Sequence, residues 1–187
     1  MRGISKSEGS AAIPFVKELL RDPDPLVAAS ASHELAKLGD NSGLEVAEKA
    51  LIPSGLGANQ LNAQSEAIHA VYILAEKYPQ QVRSLLPVIE EIAKNRKYGN
   101  TQEAIRAIEH VKLQDIGHEQ RLPRLSEGLK SDSKSIRVWA SWELAELGNE
   151  DALAILRAAA NDHDRPGQIQ AANALIHLEQ EKNSSCR

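Results

Sequence analysis

His33-Glu34-Leu35-Ala36-Lys37-Leu38-Gly39-Asp40 returns later in the chain as Trp142-Glu143-Leu144-Ala145-Glu146-Leu147-Gly148-Asn149. Similarity of a chain to itself is the sequence signature of repeat proteins, in which one structural unit recurs. A small residue four positions before the central leucine marks five copies of this unit. These anchor residues are Ala31, Ala70, Ala107, Ala140 and Ala171.

Each copy has the apolar spacing of a helix. In the fourth copy, apolar residues follow one another at intervals of three and four, which places them on one helical stripe: Ile136, Ala140, Leu144 and Leu147. A second, shorter amphipathic segment precedes each anchor helix, and one of these segments spans residues 81–94. No stretch alternates between apolar and polar residues as a half-buried strand does. The sequence therefore predicts an all-α protein built from five helical hairpins.

The spacing of the anchors predicts how the chain is divided. We expect one array over residues 11–179, whose five repeats cover residues 11–40, 41–79, 80–113, 114–149 and 150–179. The two ends, residues 1–10 and 180–187, are polar, rich in serine and without periodicity. Such ends are commonly mobile. We therefore predict flexible tails there.

Composition and charge exclude several classes of protein. Lys and Arg number 22 against 26 Asp and Glu, so the net charge of -4 has the wrong sign for a protein that binds phosphate backbones. The only cysteine, Cys186, rules out a disulfide framework and a thiolate metal cage. No apolar run approaches the length of a membrane helix, and no hydrophobic signal segment follows Met1. We expect a soluble cytoplasmic protein with no nucleic-acid or membrane partner.

The best-preserved copy carries a family resemblance. Its pattern, Asp132-x4-Arg137-Val138-x-Ala140-Ser141-x2-Leu144-x2-Leu147-Gly148-Asn149, resembles the HEAT repeat, in the short variety named after phycobiliprotein lyases. The resemblance covers roughly residues 11–180 and is strongest in the first, fourth and fifth copies. It implies an α-solenoid that forms a right-handed superhelix. In that arrangement the first helices are convex and the second helices concave.

Candidate binding residues follow from the helical positions next to the anchors. A residue two positions beyond an anchor lies about 200° around the helix and should face outward, away from the core. Together with the residues just before the anchors, these positions give a candidate concave surface: His33, His69, Tyr72, Arg106, Glu109, Trp139, Trp142 and Asn173. Trp, Tyr and Arg dominate protein-binding hot spots. The alternative is that the two tryptophans pack against a neighbouring repeat, and Trp142 is the stronger binding candidate.

Catalytic and metal chemistry find little support in the sequence. Deoxyhypusine hydroxylase, also built of short HEAT-like repeats, holds two irons with His-Glu pairs, but the matching positions here carry other residues. His33-Glu34 and His118-Glu119 lie out of phase and are interpreted as surface dipeptides, and Asp162-His163-Asp164 as a helix-capping turn. No nucleophile elbow or phosphate-binding loop occurs. We predict no catalytic residue, no metal and no cofactor.

These observations favour a non-enzymatic module that binds a protein or peptide on its concave face and is itself a monomer. It would act as an inhibitor, an immunity protein or an adaptor. The alternative is a phycobiliprotein lyase-like or chaperone-like factor for bilin attachment, which the resemblance suggests. Because His33, His69 and His110 lie near the proposed surface, we also expect partner affinity to change between about pH 5.5 and 7.5.

Overall fold

A computed structural model describes residues 6–52, 54–55, 57–95, 99–162 and 167–185. For residues 6–10 and 181–185 the backbone alone is described. Cys186, His163 and Asp164 lie outside the described residues, so the interpretation of the Asp162-His163-Asp164 motif stays a prediction.

The described residues form eleven α-helices and no strand, which confirms the all-α prediction. In chain order they are α1 (Lys6–Leu19), α2 (Pro25–Lys37), α3 (Leu44–Leu51), α4 (Ala58–Leu74), α5 (Pro79–Arg83), α6 (Leu86–Lys94), α7 (Thr101–Gln114), α8 (His118–Leu129), α9 (Lys134–Leu147), α10 (Glu150–Asn161) and α11 (Gln168–Ser185). Among these helices, none combines the length and the apolar character that a membrane crossing requires.

The helices form two compact units, Met1–Asp115 and Ile116–Arg187. In the first unit α1 pairs with α2, α3 with α4 and α6 with α7, and the second helices α2, α4 and α7 pack against one another in that order. In the second unit α8 pairs with α9 and α10 with α11, and α9 packs on α11. Pairing of neighbouring helices is the arrangement expected of an α-solenoid. The handedness of the superhelix and the repeat borders stay predictions.

The anchor alanines lie where the repeat pattern places them. Ala31, Ala70, Ala107, Ala140 and Ala171 are all buried. A methyl group at these positions lets paired helices approach closely, while the leucine or valine four residues later fills the space between them. The core is therefore aliphatic, in keeping with a chain that has 3% aromatic residues.

Two helix boundaries differ from the prediction. The segment 81–94, expected to be one helix, is broken between α5 and α6 just before Pro87. Proline has no N–H to bond the carbonyl four residues earlier, and its ring clashes with that carbonyl, so a continuous helix is interrupted there. The ends predicted to be tails are partly helical, since α1 begins at Lys6 and α11 extends to Ser185, and their flexibility stays a prediction. Extending an existing helix by another turn needs no new nucleus.

Gly43, at the N-terminus of α3, lies against α2. A Cβ atom on Gly43 would lie 2.7 Å from the backbone Cα of Ser32. The hydroxyl of Ser32 donates a hydrogen bond to the carbonyl of Gly43 over 2.9 Å, and both residues are buried. Since Gly43 has an ordinary φ of -84°, the glycine is required for space and not for backbone conformation. This contact sets the spacing between α2 and α3.

Buried amides join three helices of the first unit. The fully buried Gln64 on α4 donates from Nε2 to the carbonyl of Leu51, the last residue of α3, over 2.9 Å. Asn100, which precedes α7, donates from Nδ2 to Gln64 Oε1 over 3.0 Å and to the carbonyl of Leu61 over 2.8 Å. Buried polar groups stabilise a fold when they are paired in this way. We call Gln64 and Asn100 the amide bridge.

Asp40 makes the stability of the first unit depend on pH. Its carboxylate lies 2.8 Å from Lys17 Nζ and accepts the N–H of Ser42. Burial alone would raise the pKa of Asp40, but the hydrogen bonds from Lys17 and Ser42 outweigh burial and hold the pKa below its ordinary value of 3.8. The native state therefore disfavours the proton. The Asp40 carboxylate stabilises the folded state fully above the ordinary pKa of 3.8. This stabilisation is lost as the pH falls through the lowered pKa that Asp40 has in the folded state.

We expect Asp40→Asn to lower the free energy of unfolding at pH 7 and to have a smaller effect at about pH 2, because the stabilising effect of the Asp40 charge declines as the pH falls. Urea unfolding of both proteins at the two pH values, followed by circular dichroism, measures the difference. Glu48→Gln, a change to an exposed carboxylate on α3, is the matched control. An equal loss of stability at both pH values would show that the charge of Asp40 is not what stabilises the unit.

Candidate partner-binding surfaces

In the first unit, the structure brings together two predicted residues from neighbouring repeats. His33 on α2 and His69 on α4 have ring centroids 5.5 Å apart, with their planes tilted by 42°. The Nδ1 of His33 lies 2.6 Å from Glu66 Oε2 and donates a hydrogen bond to this carboxylate. Glu66 was missed by the sequence analysis, because it lies four positions before its anchor and outside the positions considered. Its spacing of three from His69 is the signal that could have found it.

The surroundings of His69, above all its burial, favour its neutral form. Its pKa is lowered from the ordinary value of 6.5 by burial first, and then by His33 and Arg106. Glu66 and Glu103 act in the opposite direction but do not cancel this effect. Arg106, a predicted surface residue, also pairs with Glu103 at 3.6 Å. At neutral pH the imidazole of His69 is therefore mainly uncharged.

Tyr72 and His110 form a stacked pair on the same unit. Their ring centroids are 3.9 Å apart and their planes differ by 21°. Tyr72 is half-buried, whereas His110 is 1% exposed. The expectation that His110 lies on the surface is therefore wrong, because Tyr72 and the helices beneath it cover the ring. Tyr72 remains accessible to a partner, as do Arg106 and Glu109, which are also half-buried.

The two tryptophans have different environments. Trp139 is 1% exposed, so the expectation that it faces the surface is wrong. Its ring lies against Gly128 of α8, where a Cβ atom would be 3.5 Å from the ring. The missing side chain of Gly128 leaves room for Ala140, whose Cβ would lie 2.8 Å from a Cβ at position 128, and the ring of Trp139 packs beside this close contact. Trp139 belongs to the core, as the packing alternative predicted.

Trp142 is instead on the surface. It is 38% exposed, and its ring meets His177 of α11 edge-on with centroids 4.8 Å apart. The predicted residue Asn173, also on α11, is exposed. The outward position of Trp142 in the second unit agrees with the sequence prediction.

Two exposed isoleucines on α11 were missed by the sequence analysis. Ile169 is 66% exposed and Ile176 is 51% exposed. Their spacing of seven puts them on one face of the helix, and Ile176 directly precedes His177. Helix α11 has apolar residues on both its buried and its exposed sides, so its sequence pattern does not separate the two. We call Trp142, Ile169, Ile176 and His177 the Trp142 patch.

Residues 86–176 match a known protein family. The family model described as HEAT repeats matches residues 86–176, from α6 into α11. Residues 86–176 are HEAT repeats. This confirms the family that the sequence pattern predicted. No curated protein and no solved structure was found to match the chain.

The HEAT segment contains most of the predicted surface residues. Within it lie Arg106, Glu109, Trp142 and Asn173, as well as the whole Trp142 patch apart from His177, which directly follows its last residue. His33, His69 and Tyr72 precede the segment. HEAT repeats generally serve as protein-interaction scaffolds, so the matched part of the chain belongs to a family with that use.

Proposed function

We propose that this chain is a non-enzymatic protein-interaction module, which binds a partner protein through the exposed sides of its second helices. The observation that carries the proposal is the exposure of Trp142 in the HEAT segment, next to His177. The general use of HEAT repeats as scaffolds supports it. In this role the module acts as an inhibitor, an immunity protein or an adaptor.

The Trp142 patch has the chemistry of a protein-binding hot spot. A partly exposed tryptophan offers a large apolar surface at a small cost in conformational entropy. His177 on α11 contacts this ring, and the same helix carries two exposed isoleucines, Ile169 and Ile176, as well as the polar residue Asn173. Clustered exposed apolar side chains commonly mark interaction sites. A protein segment that presents an apolar side chain fits this surface.

The first unit offers a second, more polar surface. This unit carries Tyr72 together with half-buried groups of both charges on α7, Arg106 and Glu109, while His69 lies in the repeat of Tyr72 and His33 in the repeat before it. Mixed charges set the orientation of a partner more than they strengthen its binding. We propose that this surface recognises polar groups of a protein partner. Trp139 and His110, being buried, are not part of either surface.

Replacing Trp142 with alanine tests the proposal. We expect the affinity for the partner to fall at least about 30-fold, because hot-spot residues contribute about 2 kcal/mol or more. Proteins that bind to the immobilised wild-type chain are identified first. The affinity of each for the wild-type chain and for the variant is then measured by calorimetry. Tyr72→Ala is expected to weaken binding as well.

Phe15→Ala is the matched control, since Phe15 is an aromatic residue on α1 that is 73% exposed. It should leave the affinity unchanged, and circular dichroism should show that every variant keeps its helices. If Trp142→Ala binds the partner as the wild type does, the proposed surface is wrong. The alternative role in bilin attachment rests on the resemblance alone. We further propose a monomer in the cytoplasm, and light scattering over a concentration series checks its mass.

A further inference from the structure

The His33, Glu66 and His69 side chains form a compact cluster of metal-ligating groups. One ligand atom from each lies within 4.8 Å of the other two. None of the three residues is fully buried, so an ion from solvent can reach them. We propose that these three residues bind a divalent transition-metal ion of the zinc type. This proposal departs from the expectation, drawn from the sequence, that the chain binds no metal.

The fold brings the three ligands together from two helices. Glu66 and His69 are three residues apart on α4 and therefore share one face of that helix. His33 comes from α2, which packs directly on α4. Small buried residues on both helices allow their close approach: Ala28, Ala31, Ala67 and Ala70. The ligands are thus carried by regular helices, which position a site more rigidly than loops do.

The distances suit a metal after a small rearrangement. Bonds of about 2.1 Å from zinc to nitrogen or oxygen separate tetrahedral ligand atoms by about 3.4 Å. The longest separation in the cluster, at most 4.8 Å, would have to close by about 1.4 Å at most. A change of side-chain rotamer covers such a distance, and none of the three side chains is fully buried.

The chemical character of the ligands also suits zinc. Two imidazoles and one carboxylate make a common three-ligand set for zinc, with a fourth position open to water. The metal needs a neutral imidazole, and the lowered pKa of His69 keeps that ring uncharged at neutral pH. Glu66 supplies a negative charge. When zinc binds, it replaces the hydrogen bond between His33 and Glu66, and any proton held by the ligands is released.

The neighbouring helix α7 adds one charge of each sign. Glu103 and Arg106 both act on His69, and they pair with each other at 3.6 Å. Their effects on a cation oppose one another, so the ion would be held by its ligands and not by a general negative field. His-Glu dipeptides in the sequence do not reveal this cluster. Its ligands are not adjacent in sequence, since Glu66 and His69 lie three residues apart on α4 and His33 comes from α2.

Titration of the full chain with zinc chloride, followed by calorimetry at pH 7.5, tests the proposal. We expect one site in the wild type, and at least a tenfold weaker affinity in His33→Gln and in His69→Gln. Cobalt is a second probe, since its visible absorption changes when imidazole nitrogens bind it. Glu66→Gln keeps the shape of the side chain and should weaken both metals if a histidine variant fails to fold.

Two control variants locate the bound ion. His118→Gln changes an exposed histidine on α8, and Cys186→Ser removes the only thiol. Both should bind zinc with the affinity of the wild type. The proposal is overturned if the wild-type chain binds no zinc or if the cluster variants bind it unchanged. A loss in either control equal to that in the cluster variants overturns it too.

Discussion

Replacing Trp139 with alanine is expected to lower the free energy of unfolding by about 3–5 kcal/mol, the usual cost of removing a large buried aromatic side chain. Trp139 is 1% exposed and packs against Gly128, so its removal leaves a cavity in the second unit. Trp142→Ala, three residues further on, should cost clearly less than Trp139→Ala because Trp142 is 38% exposed and its removal leaves no enclosed cavity. Urea unfolding followed by circular dichroism measures both effects without depending on tryptophan fluorescence.

Trp139→Phe is the control for packing. The indole N–H of Trp139 has no hydrogen-bond partner among the described residues, so phenylalanine gives up no bond there. We therefore expect the phenylalanine variant to recover most of the stability lost in the alanine variant. Equal losses for Trp139→Ala and Trp142→Ala would contradict the separation of the two tryptophans into a core residue and a surface residue.

Replacing Gly43 with alanine should destabilise the first unit by about 1–3 kcal/mol, the range typical of overpacking. The added methyl group would come within 2.7 Å of the Ser32 backbone, which cannot move without shifting α2 relative to α3. It would also strain the hydrogen bond from Ser32 to the Gly43 carbonyl. Thermal and urea unfolding of the variant measure the loss.

Gly55→Ala is the matched control in the same unit. A Cβ atom on Gly55 would meet nothing within 4 Å, so the change should alter stability by less than about 0.5 kcal/mol. If the Gly43 and Gly55 variants unfold alike, the close approach of α2 and α3 does not limit what position 43 can hold.

The fold was largely predictable because a repeated helical pattern determines it locally. Each anchor alanine is buried and has an aliphatic partner one turn later, and this partner is buried in the first four copies and partly buried in the fifth. What the pattern could not give was where helices end. The break before Pro87 follows from proline chemistry that the apolar spacing does not show. Polar ends such as Gln180 are compatible with both a helix and a tail.

The site was less predictable because it depends on contacts between helices. Helical geometry fixes the angle between Trp139 and Trp142, but which of them faces the core also depends on how the neighbouring helix packs, and here Trp139 lies against Gly128 of α8. His110 likewise became buried because Tyr72 from another helix covers it. Glu66 is a candidate ligand only because the packing of α2 on α4 places His33 beside it. Contacts between side chains of different helices cannot be predicted from the residue spacing along one helix.

The amide bridge has a consequence for how the first unit moves. Gln64 is tied both to the last residue of α3 and to Asn100 at the start of α7. If either helix end frayed by itself, the fully buried amide would lose a partner, which costs about 1–3 kcal/mol. Fluctuations of the two ends are therefore correlated through α4. We therefore expect the end of α3 and the start of α7 to show similar protection in hydrogen exchange, as parts of one cooperative substructure.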